Sequence, residues 1–217
     1  MVYLFNITNF LPLKKRSLFS KGKKGFSLVE ILVVLGIMAI LSGIGVVGFQ
    51  RLSKSSKLTQ ASQILSNQLQ YARQSAMTKN CLVEIQFLAL PDPSRKSEKA
   101  FRAIRLLTVD STGTHPLDRI AYLPENVVFS SEETLSSLLN SDKILHDETS
   151  VNGEEGIEYY AFRFHSDGTT TLLMDGDSSW HLTIVFDADI KTSAADLKNF
   201  YTVAINPLTG LSKSYTH

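Results

Sequence analysis

Lys23-Lys24-Gly25-Phe26-Ser27-Leu28-Val29-Glu30-Ile31-Leu32-Val33-Val34-Leu35 opens an apolar run that lasts to Phe49 in this chain of 217 residues. A basic flank, a glycine, a phenylalanine and then one carboxylate inside an otherwise uncharged segment set this stretch apart. The 23 residues from Phe26 to Gly48 would make a helix of roughly 34 Å at about 1.5 Å per residue, close to the hydrocarbon thickness of a bilayer. Residues 26–49 are therefore expected to form a transmembrane helix. Lys14, Lys15, Arg16, Lys21, Lys23 and Lys24 give residues 1–25 a charge of +6 with no acid. The positive-inside rule then predicts a cytoplasmic amino terminus and an extracytoplasmic remainder.

Working outward, the chain's net charge of +1 leaves −5 for the 192 residues after this leader. A mildly acidic body argues against nucleic acid as the main partner. Cys81 is the single cysteine, so no intramolecular disulfide can form; beside Leu82 and Val83 it reads as a small core residue. A secretory signal peptide would have a shorter apolar part, and here the polar segment after the run keeps a helical pattern instead of breaking.

Glu30 is what a plain anchor does not explain. A carboxylate in hydrocarbon costs on the order of several kcal/mol unless it meets a partner or reaches the interface, so intramembrane acids mark function. Cleavage after Gly25 would create such a partner, because the new amino group of Phe26, four residues away, could neutralise Glu30 of a neighbouring molecule. The other reading of Glu30 places it within reach of headgroups and water.

Lys-Gly-Phe-Ser-Leu-Val-Glu, residues 24–30, resembles the class III signal sequence of type IV pilins and type II secretion pseudopilins. The resemblance implies cleavage between Gly25 and Phe26 by a prepilin peptidase, N-methylation of Phe26, and Glu30 as the residue that registers subunits in a helical filament. It further implies other pilins or pseudopilins and membrane lipid as partners, and a location in the bacterial inner membrane. Two features depart from the family pattern. The leader is long, with no methionine between Met1 and Met38 to shorten it. No proline lies between Pro12 and Pro91 to kink the helix.

After Phe49 the apolar residues Leu58, Ala61, Leu65, Leu69, Ala72 and Ala76 recur every three or four positions, predicting an amphipathic continuation over residues 50–80 that ends near Lys79 and Asn80. A β-rich head is expected over 81–217, giving an α+β, pilin-like fold with the long helix packed on an antiparallel sheet. Strands are predicted at Cys81–Leu90, Phe101–Val109, Arg119–Leu123, Asn126–Ser130, Ile157–Phe164, Thr169–Met174, Trp180–Phe186, Tyr201–Asn206 and Leu211–Tyr215. Arg102 and Arg105 suggest one exposed face of the second strand. Asp110–Asp118 reads as a turn region, Glu132–Leu139 as one or two helical turns, and Asp142–Gly156 as a charged, exposed excursion. Pro124–Phe129, Phe162–Thr169 and Tyr201–Asn206 with Thr209-Gly210-Leu211 are similar to the H-type minor pseudopilin and its pilus relatives, which implies a minor subunit.

No catalytic constellation is present. The histidines His115, His146, His165, His181 and His217 are scattered without metal-ligand spacing, and there is no nucleophile elbow or phosphate-cradling glycine loop. No cofactor or small-molecule substrate is expected. Asp175, Asp177, Asp187 and Asp189 could offer oxygens to calcium but lack the other ligands of a recognised loop. The expected function is that of a structural, non-enzymatic, minor pilin-like subunit. The alternatives are a filament-tip binding module for adhesion or DNA uptake, and a plain single-pass anchored envelope protein. Trp180 is the only tryptophan, which gives a nucleic-acid platform little support.

Overall fold

The computed structural model describes residues 25–92, 99–174, 180–190 and 192–216, with the side chains of 42–54 outside the description. Nearly all of the basic leader, residues 1–24, thus lies outside the described residues. The chain divides into two compact units, Met1–Val46 and Val47–His217. Helix α1, Leu28–Lys79, begins in the first and enters the second.

In the first unit, Gly25–Ser27 precede the helix, and the Ser27 carbonyl accepts the Ile31 N–H at 3.2 Å to close the first turn. Every described side chain from 25 to 41 is exposed. A helix that is apolar on all faces and open on all faces is suited to apolar surroundings rather than to water. Among the described residues no helix is long and apolar enough to cross a membrane. The expected span of 26–49 includes residues 42–49, whose side chains are not described.

In the second unit the predicted helical stripe is the core seam. Leu58, Ala61, Leu65, Leu69, Ala72 and Ala76 are all buried and belong to one cluster with Val83, Ile85, Phe87, Phe129, Phe162, Phe164 and Leu182. Phe87 meets Phe129 edge-on, with ring centroids 5.5 Å apart, a geometry the ring quadrupoles favour. The helix ends where Asn80 adopts φ 52° and the Cys81 N–H returns to the Ala76 carbonyl at 3.2 Å, a left-handed exit that asparagine tolerates.

The strands are β1 Leu82–Pro91, β2 Lys99–Asp110, β3 Gly113–Pro116, β4 Ala121–Tyr122, β5 Val127–Phe129, β6 Leu145–Val151, β7 Glu154–Phe164, β8 Trp180–Phe186, β9 Tyr201–Ile205 and β10 Ser212–Thr216. They form one antiparallel sheet in the order β10-β9-β8-β5-β2-β1-β7-β6, with β3 and β4 also paired to β2. Val83, Ile85 and Phe87 of β1 face the helix, whereas the alternate Glu84, Gln86 and Leu88 take the other face, as a pleat requires. That outer face carries a second cluster of Leu88, Leu90, Ala103, Val151, Ile157, Tyr159 and Ala161.

The sheet curls. Arg105 of β2 donates from Nη2 to Thr149 Oγ1 of β6 at 2.9 Å, although β1 and β7 lie between those strands in the ladder. Three strand steps in a flat sheet would put them about 14 Å apart. The β6–β7 hairpin therefore folds back over the outer face. Asn152 Nδ2 reaches Tyr122 Oη at 3.4 Å and Lys99 Nζ donates to the Gly156 carbonyl at 2.9 Å.

Several sequence expectations are corrected. The Asp142–Gly156 stretch contains strand β6 and a tight turn with φ 52° at Asn152 and 88° at Gly153, a combination that suits a type I′ hairpin. Within Asp110–Asp118, residues Gly113–Pro116 form β3. Thr169–Met174 makes only an isolated bridge, Phe164 to Thr170, because the Thr170 N–H bonds to the Pro207 carbonyl at 3.0 Å instead. Glu132–Leu139, expected as one or two helical turns, holds one, the 3-10 helix Ser137–Leu139. Cys81 is only partly buried, packed against the rim of the main cluster. Arg102 and Arg105 do not share an exposed face: Arg102 is buried, at 8% exposure. Its side chain is redirected by a bulge, since Leu88 pairs with Ala103 and Ala89 with Phe101, leaving Arg102 unopposed.

Candidate functional site

Gly25, Phe26 and Glu30 sit together at the start of the helix. Nothing lies within 4 Å of where a Gly25 Cβ would be, and Phe26 is 74% exposed, so the Gly25–Phe26 peptide bond stands clear of folded structure. Glu30 is exposed in the first helical turn, where the unpaired N–H groups of the helix favour a negative charge. Among the described residues the three lie at the start of an exposed apolar helix.

In the head several of the polar groups that sequence singled out are engaged locally. Asp187 stands 3.9 Å from the Arg102 guanidinium, which also pairs with Asp92 at 3.4 Å. Asp175 and Asp177 lie outside the described residues. Among the described residues no group of three His, Cys, Asp or Glu side chains could hold a metal ion. His146 stacks on Tyr160 with centroids 4.3 Å apart and meets Glu158 at 2.9 Å. His181 Nδ1 is 3.2 Å from Ser137 Oγ, and His115 Nε2 is 3.6 Å from Asp110. Trp180 is buried and donates to the Leu173 carbonyl at 2.7 Å, which removes its face from use as a stacking platform.

Sequence reasoning missed a polar network across the outer face. Glu84 and Gln86 are buried at 2% and 3% exposure. Glu84 accepts from Arg163 Nε at 2.8 Å and from Gln86 Nε2 at 2.6 Å, and Gln86 in turn accepts from Arg105 Nε at 2.8 Å. Burial lowers the Arg105 pKa, opposed by the nearby Tyr159 and Glu84, while burial raises that of Tyr159. The period-two alternation of Val83-Glu84-Ile85-Gln86-Phe87 held the signal for their shared face. Their burial depends on the fold-back of the β6–β7 hairpin.

An exposed apolar helix start precedes the helical turns that pack on the antiparallel sheet. Residues 20–46 match the family model described as the prokaryotic N-terminal methylation motif. No curated protein matches the chain. Among solved structures, it is similar to the type IV minor pilin FimU of Pseudomonas aeruginosa, at 15% identity and a TM-score of 0.43 over 76% of this chain and 92% of that one. It is also similar to the minor pseudopilin EpsH of the Vibrio cholerae type II secretion system, at 9% identity and a TM-score of 0.40 over 73% and 96%. A further EpsH crystal structure gives 12% identity and a TM-score of 0.40 over 74% and 94%.

Proposed function

We propose that this chain is a minor pilin-like structural subunit, with no enzymatic activity, of a type II secretion or type IV pilus-like filament. A prepilin peptidase cuts between Gly25 and Phe26, Phe26 is N-methylated, and the chain then assembles laterally through its apolar helix in the inner membrane. In this reading residues 1–25 face the cytoplasm before removal and the head lies outside the membrane. The observation that carries it is the methylation-motif match over residues 20–46; Gly25, Phe26 and Glu30 lie within that span, near the exposed start of the helix. Minor rank and likeness to the H-type subgroup are proposed from the head patterns Pro124–Phe129, Phe162–Thr169 and Tyr201–Asn206.

The physical logic is charge neutralisation. A free amine on Phe26 of one subunit and a carboxylate on Glu30 of its neighbour each carry a large desolvation cost in lipid, and pairing them offsets both. The pair forms at one axial offset only, so it sets register as well as affinity. The mass of the full chain purified from membranes tests the reading. A product beginning at Phe26, with or without one added methyl group, is expected; an intact Met1 or a cut beyond Gly48 overturns it. Glu30→Gln is expected to leave membrane insertion unchanged and to impair filament assembly, and normal assembly of that variant would remove the register role.

A further inference from the structure

Among the described residues the main strand order ends at β6 and β10, each paired on one side. Open edges invite pairing, and proteins blunt them with charges, bulges or proline. β6 is guarded: it carries His146, Asp147 and Glu148, and its ladder with β7 is broken between Thr149 and Val151. β10 is Ser-Lys-Ser-Tyr-Thr, with no bulge in its register from Ser212–Ile205 to Thr216–Tyr201. Ser214 Oγ lies 3.4 Å from Ser62 Oγ and 3.3 Å from Ser66 Oγ, so the strand runs alongside α1.

Beside this edge is a cavity of about 480 Å³ lined by Gln70, Arg73, Gln74, Met77, Leu211 and Ser212, among others. Met77 and Leu211 are 45% and 57% exposed. The lining and the strand hold two charged side chains, Arg73 and Lys213, both basic. Arg73 is fixed by donating from Nε to the Thr209 carbonyl at 2.8 Å and the Gly168 carbonyl at 3.3 Å. The carboxylate of Asp167 on the adjacent turn is occupied by the N–H and hydroxyl of Thr169. A regular five-residue edge, a notch with two exposed apolar side chains, Met77 and Leu211, and a basic charge bias occur at one place.

We propose that β10 is an acceptor edge for an extended segment of a partner protein, one that bears acidic side chains and an apolar anchor. The segment would add a strand outside β10, with main-chain hydrogen bonds supplying affinity. A carboxylate would meet Lys213 across the new pair, and the anchor would seat against Met77 and Leu211. The proposal concerns the head alone and does not depend on how the amino-terminal segment is processed.

The test uses the full chain in nonionic detergent micelles with two labelled synthetic peptides, an alternating Val/Glu peptide ending in Leu and its Val/Lys counterpart. Binding is read by fluorescence anisotropy and the site by hydrogen exchange. The acidic peptide is expected to bind more tightly than the basic one by about tenfold, the scale of one or two rim charge contacts, and to slow exchange at residues 212–216. Lys213→Glu should invert the preference, which mere loss of structure would not do. Equal binding of both peptides, protection at 145–151 instead, or an unchanged preference in Lys213→Glu overturns the proposal. Protection of 212–216 that grows with protein concentration and without peptide would assign the edge to a second copy of this chain and overturn it equally.

Discussion

Replacing Gly210 with alanine should be among the costliest single-methyl changes in the head. Gly210 follows β9 at φ 62°, and an added Cβ would stand 2.5 Å from the Gly168 carbonyl oxygen, 3.0 Å from Phe164 Cε1 and 3.2 Å from Arg73 Cδ. The left-handed backbone alone costs an alanine about 1 kcal/mol. The contact with backbone oxygen cannot be relieved by a rotamer change, so the turn around Gly168 must shift. That shift disturbs the Arg73 hydrogen bonds to Gly168 and Thr209, adding about 2 kcal/mol. Gly153→Ala supplies the control, because Gly153 also has positive φ, 88°, but nothing lies within 4 Å of its Cβ position. The expected losses are about 3 kcal/mol for Gly210→Ala and about 1 kcal/mol for Gly153→Ala, or roughly 6–12 °C against 2–4 °C in melting temperature for a domain of this size. Thermal unfolding of the full chain in detergent, followed by circular dichroism, reads both. Equal losses in the two variants would show that the close approach of the two turns contributes nothing.

Two further outcomes follow from the polar contacts. Arg163→Met leaves the Glu84 carboxylate, whose side chain is 3% exposed, with Gln86 as its remaining neutral donor and should cost about 2 kcal/mol; adding Glu84→Leu should recover most of this, and a double variant no more stable than the single one in urea unfolding would refute the account. The Thr169 hydroxyl, followed by the Thr169 N–H, holds the Asp167 carboxyl below its ordinary value of 3.8. Because the folded value is the lower, the contribution is present above that ordinary value and is lost as pH falls through the folded one; Thr169→Val should move the Asp167 titration, followed by carboxyl-carbon NMR, upward, and an unmoved titration would exclude the hydroxyl as the main cause.

The helix and its buried stripe could be read from sequence because Leu58 through Ala76 repeat with the helical period and one face decides their fate. β1, β2, β5, β7, β8 and β9 were legible for a similar reason, as runs of branched and aromatic residues between turn signals. β6 was not: Leu-His-Asp-Glu-Thr-Ser-Val is an edge strand with six of its seven side chains partly or wholly open, so no alternation marks it, and only pairing with β7 makes it a strand. Arg102 looked like a surface residue because a bulge is a property of two strands in register rather than of either one. The amino-terminal candidate rests on residue type and order alone, since a lone carboxylate four positions after a Gly-Phe pair needs no tertiary contact to stand out. The acceptor edge of β10 was not, because the groove beside it joins residues more than a hundred positions apart.

The strand order carries a consequence for how the head forms during synthesis. β1 and β2 are neighbours in sequence and in space, so the centre of the sheet can be laid down early as a local hairpin. The chain then builds β5 on one flank, crosses to add β6 and β7 on the other, and returns for β8, β9 and β10. Until residues 180–186 arrive, the outer edge of β5, Val127–Phe129, has no neighbour and exposes a strand that is fully buried when folding ends. The interval between making β5 and covering it therefore leaves an edge open to other chains, and slowing the chain between residues 130 and 180 would lengthen it.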